Sequence, residues 1–231
     1  MRRLVLWDID LTLVDLRGMG GRWYRAALNS VVGIDLEHLP SFPGRTERAI
    51  TVELLKAHQL VPTEELIERL HAALVDVVAA EHPMLLERGR ALPGSAEALA
   101  ALALRRDVVQ SLVTGNLVEV ARYKLAAFGL DTHLDFDIGG YGTVSEFRPD
   151  LVTEAMRLAT AKHGTEFVPE AVVVIGDTPH DVEAALHHGA VAVGVATGRN
   201  SADELRDAGA HVVLKDLSDT DSVLSAVLHS P

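Results

Sequence analysis

Two aspartates, Asp8 and Asp10, stand two residues apart just after the first apolar run of the chain, and Thr12 follows them. On an extended backbone, side chains two residues apart point to the same side. Two carboxylates that close repel each other unless a cation or a proton lies between them. The pair indicates a cation-dependent acidic site at a strand end or, as a structural alternative, a turn rich in Asp and Thr.

A second acidic pair follows a later apolar run, where Asp177 comes directly after Val172–Gly176 and Asp181 lies four residues further on. Thr178 and Pro179 could open a helix there, with Asp181 as the acid of a capping box. Capping explains Asp181 but leaves Asp177 unexplained. Two aspartate pairs at strand ends of one sheet favour a hard-cation site, and oxygen ligation by few protein carboxylates is typical of Mg²⁺.

Two further motifs could bind an anion. Thr114, Gly115 and Asn116 end one apolar run and open a helical pattern, so the free N–H groups of a helix N-terminus and a hydroxyl are available. The alternative is that Asn116 is an ordinary helix cap. Arg148, just before Pro149, could clamp a phosphate in bidentate fashion or could be a solvated surface arginine.

The elements that must hold these residues alternate between strand-like and helix-like segments. Continuous apolar runs without alternation are typical of strands buried on both faces of a parallel sheet. Five such runs are Leu4–Trp7, Val108–Val113, Val172–Ile175, Val191–Val195 and His211–Leu214. Helical patterns follow Asn116, Pro149 and Ser201. The alternation predicts a doubly wound α/β fold, in which ligands bind at the carboxyl ends of the strands.

A long segment, residues 16–91, interrupts this alternation without a strand-like run. We expect it to form three helices, around Trp23–Val32, Thr46–His58 and Thr63–Ala80. The third helix should bury a face made of Leu66, Leu70, Ala73 and Val77. We predict that 16–91 is a helical subdomain inserted into an α/β core formed by 1–15 and 92–231, with the glycine-rich Asp15–Gly20 as its hinge.

The composition excludes several classes of function. The chain has 231 residues, a formal net charge of −12 and no cysteine. This charge argues against a surface that binds nucleic acid or anionic lipid. The lack of cysteine excludes disulfides, thiolate nucleophiles and Cys-ligated zinc. The N-terminus reaches Asp8 too soon for a secretory signal, and no apolar run approaches the roughly 20 residues of a membrane helix. We therefore expect a soluble, cytoplasmic protein with no nucleic-acid or membrane partner.

In their order, the motifs resemble those of the haloacid dehalogenase-like (HAD) superfamily of phosphohydrolases. That pattern is D-x-D-x-T, here starting at Asp8, then a strand-end Thr at Thr114, a basic residue at Arg148, and an acidic pair after a glycine at Asp177 and Asp181. The inserted helices are similar to the helical cap of the phosphoglycolate-phosphatase-like subgroup. The resemblance implies a HAD-like, Rossmannoid core with an inserted α-helical cap.

The resemblance also implies a Mg²⁺-dependent phosphatase that acts on a small phosphorylated metabolite. Asp8 would attack phosphorus and become an aspartyl phosphate. Asp10 would protonate the leaving oxygen and then activate the water that hydrolyses this intermediate. Mg²⁺ would be held by Asp8, by the backbone carbonyl of Asp10 and by Asp177, with Asp181 supporting it directly or through water.

For the phosphate, the resemblance implies binding by Thr114, the Gly115 N–H and the helix start at Asn116. The family usually has a lysine in the third motif, where this chain has Arg148. Arginine is always charged and forms forked hydrogen bonds with phosphate, but it is longer than lysine. Lys124 is the less favoured substitute because it falls inside a predicted helix.

In the cap, Gly44-Arg45-Thr46 resembles a turn of the subgroup, which implies that Arg45 contacts the non-reacting end of the substrate. The alternative is a plain turn with Thr46 as a helix cap. Leu11 stands where many family members carry glycine. Asp10 argues against dehalogenation, because members that dehalogenate lack this acid. A sugar-phosphate mutase and a non-catalytic phosphate-binding regulator stay open as alternative functions.

Overall fold

A six-stranded parallel sheet forms the core in the computed structural model, which describes residues 2–16 and 18–229. Its strands, together with a separate two-stranded pair, are β1 (Arg3–Trp7), β2 (Val14–Asp15), β3 (Arg90–Ala91), β4 (Val108–Thr114), β5 (Gly140–Tyr141), β6 (Val172–Gly176), β7 (Val191–Val195) and β8 (Val212–Leu214). The sheet order is β5-β4-β1-β6-β7-β8. The five predicted strands are therefore present, and the two-residue strands β2, β3 and β5 are additional.

The described residues also form nine α-helices. They are α1 (Met19–Val32), α2 (Glu47–Ala57), α3 (Glu64–Arg88), α4 (Ser95–Ala103), α5 (Val118–Ala126), α6 (Pro149–His163), α7 (Pro179–His187), α8 (Ala202–Asp207) and α9 (Thr220–His229). Among the described helices, none has the combination of length and apolarity that crossing a membrane requires. Arg17, which belongs to the expected hinge, and the chain ends Met1, Ser230 and Pro231 lie outside the described residues.

Helices cover both faces of the sheet. Because side chains alternate along a strand, Val5 and Trp7 of β1 face one way and Leu4 and Leu6 the other. The first pair belongs to an apolar cluster that includes residues of α4, α5 and α9, and the second pair to a cluster that includes residues of α6, α7 and α8. The doubly wound α/β fold with an inserted helical cap is thus confirmed.

The inserted helices α1, α2 and α3, called the cap helices below, lie between β2 and β3. These two strands pair antiparallel, with Val14 opposite Ala91. The buried stripe of α3 is made of Ile67, Leu70, Leu74, Val78 and Leu85. The predicted stripe shares Leu70 with it, and its other members, Leu66, Ala73 and Val77, are half-buried against the same core cluster. The contacts with α1 and α5 centre the fully buried stripe beside the predicted one. The exact limits 1–15, 16–91 and 92–231 stay a prediction.

Several helix starts agree with the sequence. The Thr46 hydroxyl accepts from the Ala49 N–H at the start of α2, Pro149 is the first residue of α6, and Ser201 forms a capping box with Glu204. The helix after Asn116 differs, since α5 begins at Val118 with Leu117 as the cap residue. Asn116 is therefore free of the capping role and can take part in the site.

Candidate active site

The central position of β1 brings three aspartates together. Strand β1 pairs with β4 on one side and β6 on the other, with Trp7 opposite both Leu112 and Ile175. The residues that follow these strands therefore meet at one edge of the sheet. Side-chain oxygens of Asp8, Asp177 and Asp181 all lie within 4.8 Å of one another, and the three residues are at most 7% exposed.

These buried carboxylates require positive charge. Burial, reinforced by repulsion from Asp181, raises the pKa of Asp8 to about 7, although Arg148 opposes the shift. Burial and the neighbouring Asp8 raise the pKa of Asp177 to about 9. A divalent cation would relieve this repulsion, and three carboxylates supply the all-oxygen donor set that Mg²⁺ prefers. The residues present thus fit the Mg²⁺ expected from the sequence.

Arg148 lies inside this cluster. Its Nη2 donates to Asp8 Oδ1 at 2.8 Å and also to Asp181 Oδ1. Its buried Nε has no hydrogen-bond partner among the described residues. The other oxygen of Asp181, Oδ2, accepts from the backbone N–H of Thr178 at 3.0 Å and from its hydroxyl at 2.7 Å. Asp181 is therefore both the capping acid of α7 and a member of the acidic cluster.

Asp10 is not one of the three clustered carboxylates, and its side chain is bound by Lys124. The Lys124 ammonium donates to both carboxylate oxygens of Asp10, at 2.7 and 2.6 Å, and to Asn116 Oδ1 at 2.6 Å. The Asn116 amide completes the triangle by donating to Asp10 Oδ2 at 2.8 Å. Lys124 is only 5% exposed. The sequence analysis favoured Arg148 over Lys124 as the basic residue of the site. The signal for Lys124 was its position on the apolar face of a predicted helix, where a lysine needs a buried partner.

Thr114 and Gly115 lie beside the acidic cluster, as expected for the end of β4. The Thr114 hydroxyl is fully buried and accepts from the Asn116 side-chain amide at 2.8 Å. A Cβ added at Gly115 would lie 1.9 Å from the carbonyl oxygen of Arg45. In this structure the cap backbone at Arg45 therefore packs directly on Gly115, whose N–H was expected to bind the phosphate.

The cap is closed onto the core through the start of α2. The Glu47 N–H donates to the Gly115 carbonyl at 2.8 Å, and the Arg48 N–H donates to the Gly142 carbonyl at 2.9 Å. The first N–H groups of a helix have no partner within the helix. The core carbonyls supply those partners, so the closed cap satisfies groups that an open cap would leave to water.

Gly142→Ala is expected to prevent this closure. A Cβ at position 142 would lie 1.8 Å from the Gly115 carbonyl oxygen and 2.6 Å from the Glu47 nitrogen, so the backbones must separate. Because small displacements of positioning groups are costly, we expect kcat/KM to fall roughly 10²-fold. The neighbouring exposed Thr143→Ala is the control, and equal activity of the two variants in a phosphate-release assay would refute the role of this contact.

Glu47 itself is a buried acid that sequence reasoning did not select. It is 8% exposed, it lines the cavity between cap and core, and its Oε1 has no hydrogen-bond partner among the described residues. Burial raises its pKa to about 8, an effect that the charge of Lys124 partly offsets. An acid at the first position of a helix usually indicates only a favourable interaction with the helix dipole, which explains why it was overlooked.

Glu47→Gln should alter the pH dependence of stability. The ordinary pKa of 4.5 applies in the unfolded chain and about 8 in the folded protein. As pH rises between these values, the unfolded chain releases a proton that the folded chain keeps, so wild-type stability falls. Between pH 5 and 8 the wild type should lose on the order of 3 kcal/mol relative to the variant in urea unfolding. The exposed Glu65→Gln should follow the wild type, and parallel curves for all three would contradict the prediction.

A cavity of about 800 Å³ lies between the cap helices and the acidic cluster. Asp8, Asp10, Thr114 and Arg148 line its core side. Arg45 lines its cap side, as the sequence suggested, but its guanidinium is engaged within the cap, where it forms an ion pair with Glu53. The arrangement therefore leaves space for a small molecule between a charged floor and the cap.

Comparisons with known proteins find similar sequences and similar folds. A protein described as "Probable phosphatase IndB" from Dickeya dadantii (strain 3937) is 29% identical, over 99% of this chain and 96% of its own length. The fold is similar to that of a hydrolase from Pseudomonas syringae, at a TM-score of 0.69 and 24% identity over 98% of this chain and 99% of the other. It is also similar to a "predicted phosphoglycolate phosphatase" from Haemophilus somnus 129pt, at a TM-score of 0.65 and 19% identity over 96% and 97%.

A family model matches most of the chain. The model of the haloacid dehalogenase-like hydrolases matches residues 5–186, a range that contains the end of β1, the cap helices and the strand ends with Thr114 and Asp177. The chain therefore belongs to the haloacid dehalogenase-like hydrolase family.

Proposed function

We propose that the protein is a phosphatase that hydrolyses a small phosphomonoester, with Asp8 as the nucleophile and Mg²⁺ as the cofactor. The observation that carries the proposal is the position of the Asp8 carboxylate, which shares Arg148 with Asp181, lies beside Asp177 and faces a cavity closed by the cap. The relative described as a phosphatase supports the same reaction.

The reaction would proceed in two displacements. A carboxylate oxygen of Asp8 forms a bond to phosphorus while the ester P–O bond breaks, and the departing alkoxide takes a proton from Asp10. Water then attacks the aspartyl phosphate while Asp10 accepts its proton, and the bond between phosphorus and Asp8 breaks to release inorganic phosphate. A covalent intermediate divides one difficult displacement into two easier ones.

The surrounding groups would bind the phosphoryl group and hold the Asp10 carboxylate in position. Arg148 has a buried Nε that is free to donate to a phosphoryl oxygen, while Thr114 and the Gly115 N–H stand at the end of the neighbouring strand. Lys124 and Asn116 hold the Asp10 carboxylate between them. Bound Mg²⁺, held by Asp8, Asp177 and Asp181 with the backbone carbonyl of Asp10, would neutralise charge between the carboxylate and the phosphate.

A panel of phosphate esters assayed with Mg²⁺ and with EDTA tests this proposal. We expect release of inorganic phosphate from at least one small ester, at a rate that EDTA abolishes and added Mg²⁺ restores. Isomerised sugar phosphate without phosphate release would identify a mutase instead. Stoichiometric phosphorylation without turnover would identify a regulatory protein, against which the retention of Asp10 argues. The cytoplasmic location and the lack of nucleic-acid or membrane partners stay predictions.

Arg148→Ala should weaken the handling of phosphate and destabilise the site. It removes the only cation that the described residues place within 4.0 Å of Asp8 and Asp181, and breaking a buried ion pair leaves uncompensated charge. We expect kcat/KM to fall by about 10-fold or more. Arg157→Ala, at an exposed arginine of α6, the helix that Arg148 precedes, should leave the rate unchanged. A wild-type rate for Arg148→Ala would mean that another residue supplies the cation.

A further inference from the structure

The cavity above the acidic cluster is larger than a small phosphorylated acid requires. Its volume of about 800 Å³ is in the range of pockets that enclose drug-sized ligands. A phosphoryl group bound at Asp8 would occupy only the floor of this cavity. The remaining space, called the leaving-group chamber below, is bounded by the cap helices and by the loop that precedes α2.

The cap side of the leaving-group chamber is apolar. Each cap helix and the loop before α2 contribute apolar side chains to it, including Met19, Trp23, Phe42, Ile50, Leu74 and Val78. The indole N–H of Trp23 is not available to a ligand, because it donates to Glu81 Oε2 at 3.0 Å. Tyr24 stacks on Phe42 with 5.2 Å between ring centroids. These side chains bind apolar surface, and they offer no hydrogen bonds of their own in compensation for a charged or sugar-like group.

Two cations of the lining, Arg45 and Lys124, are already engaged, and a third lies on the core side. The Arg45 guanidinium is bound by Glu53 and by the carbonyls of Ser41 and Ala49. Lys124 is bound by Asp10. Arg199 lies in the core loop after β7 and is exposed. A second carboxylate that packed against the cap side would therefore meet no free cation among the described lining residues there, which is unfavourable.

Two buried oxygens on the chamber wall lack partners. The Tyr24 hydroxyl and Glu47 Oε1 make no hydrogen bond within the described part of the chain, and both residues are more than nine-tenths buried. Buried polar groups normally have a partner. Their position in the lining fits a wall that is completed by a ligand rather than by the protein.

We infer that the alcohol released by this enzyme is bulky, uncharged and apolar over most of its surface, and that the cap-side wall of the leaving-group chamber selects it. This inference rests on the proposed phosphatase function and adds the substrate class to it. Burial of the apolar group contributes to binding in proportion to the area removed from water. Phosphoglycolate and sugar phosphates would be poor substrates.

Three primary alkyl esters of similar intrinsic reactivity test the inference with the wild-type enzyme and Mg²⁺. Phenethyl phosphate is apolar, glucose 6-phosphate is of similar size but polar, and phosphoglycolate is small and charged. We expect kcat/KM for phenethyl phosphate to exceed both others by at least about 10-fold. An equal or higher value for either of the others would overturn the inference.

A binding measurement distinguishes a failure of this inference from a failure of the proposed function. Calorimetry with Asp8→Asn, which lacks the nucleophile, should show a lower Kd for phenethyl phosphate than for phosphoglycolate. If the wild type hydrolyses none of the esters, the proposed function fails, while this difference in Kd still supports the substrate class. Equal Kd values, or no binding of either ester, would overturn it.

A matched pair of variants tests whether the cap-side wall is the source of the substrate preference. Met19→Gln keeps the length of the side chain but makes the chamber wall polar, and we expect the preference for phenethyl phosphate over glucose 6-phosphate to fall about 10-fold. Leu86→Gln makes the same kind of change at a residue of α3 that is 64% exposed and lies outside the lining, and its preference should equal that of the wild type. An unchanged preference in Met19→Gln would contradict the assignment of the wall.

Discussion

Asp8→Asn is expected to lower phosphate release by at least about 10⁴-fold while the protein stays folded. The amide keeps the shape of the side chain, but it cannot form the bond to phosphorus on which the two-step reaction depends. The variant should fold because the change removes one of three carboxylates that repel one another. This repulsion and the burial of Asp8 raise the pKa of Asp8 to about 7. Phosphate release at saturating Mg²⁺ measures the loss, and thermal unfolding checks the fold.

The control for this variant is a second isosteric change at the exposed Asp35 in the cap. Asp35→Asn should retain wild-type activity because Asp35 lies outside the cavity lining. Residual activity of Asp8→Asn within 10-fold of the wild type would assign the nucleophile to another group, such as water.

Asp10→Asn should have the second-largest effect and a different signature. Loss of a general acid and base costs roughly 10²–10⁴-fold in rate. Since both displacements would use Asp10, the variant should turn over slowly, and the covalent form should accumulate if the second step slows more. Removal of the charge also breaks the ion pair with Lys124, which is 2.6 Å from the carboxylate and buried. Rapid-quench kinetics should therefore show slow release of phosphate.

Lys124→Met separates the two consequences of that change. It removes the ion pair but leaves the Asp10 carboxylate in place, with Asn116 as its remaining partner. If Lys124 positions Asp10, this variant should shift the pH–rate profile and reduce kcat by less than Asp10→Asn does. A wild-type rate for Asp10→Asn would contradict the acid–base role, whatever the behaviour of Lys124→Met.

The strands and most of the acidic cluster could be predicted because buried parallel strands have a strong signal. Runs of Val, Ile and Leu locate β1, β4 and β6, and their ends locate Asp8, Thr114 and Asp177. At Asp181, the sequence allowed either a cap or a site residue. The structure has both, because one carboxylate oxygen binds Thr178 and the other binds Arg148.

Other features depend on contacts that no local pattern contains. Lys124 meets Asp10 across 114 positions of the chain, and Glu47 joins the site only because the cap closes. The two-residue strands β2, β3 and β5 are too short to have a periodic signal. The buried face of α3 depends on the helices that pack against it. The residues after a strand could thus be predicted, while the partners brought by the cap and by α5 could not.

Mass spectrometry of acid-quenched enzyme during turnover tests the central claim most directly, because an aspartyl phosphate survives brief exposure to acid. We predict an adduct with the mass of one phosphoryl group on the peptide that contains Asp8. It should depend on Mg²⁺ and be absent from Asp8→Asn. Steady release of phosphate with no adduct on that peptide in either the wild type or Asp10→Asn, or an adduct on a different residue, would contradict the account.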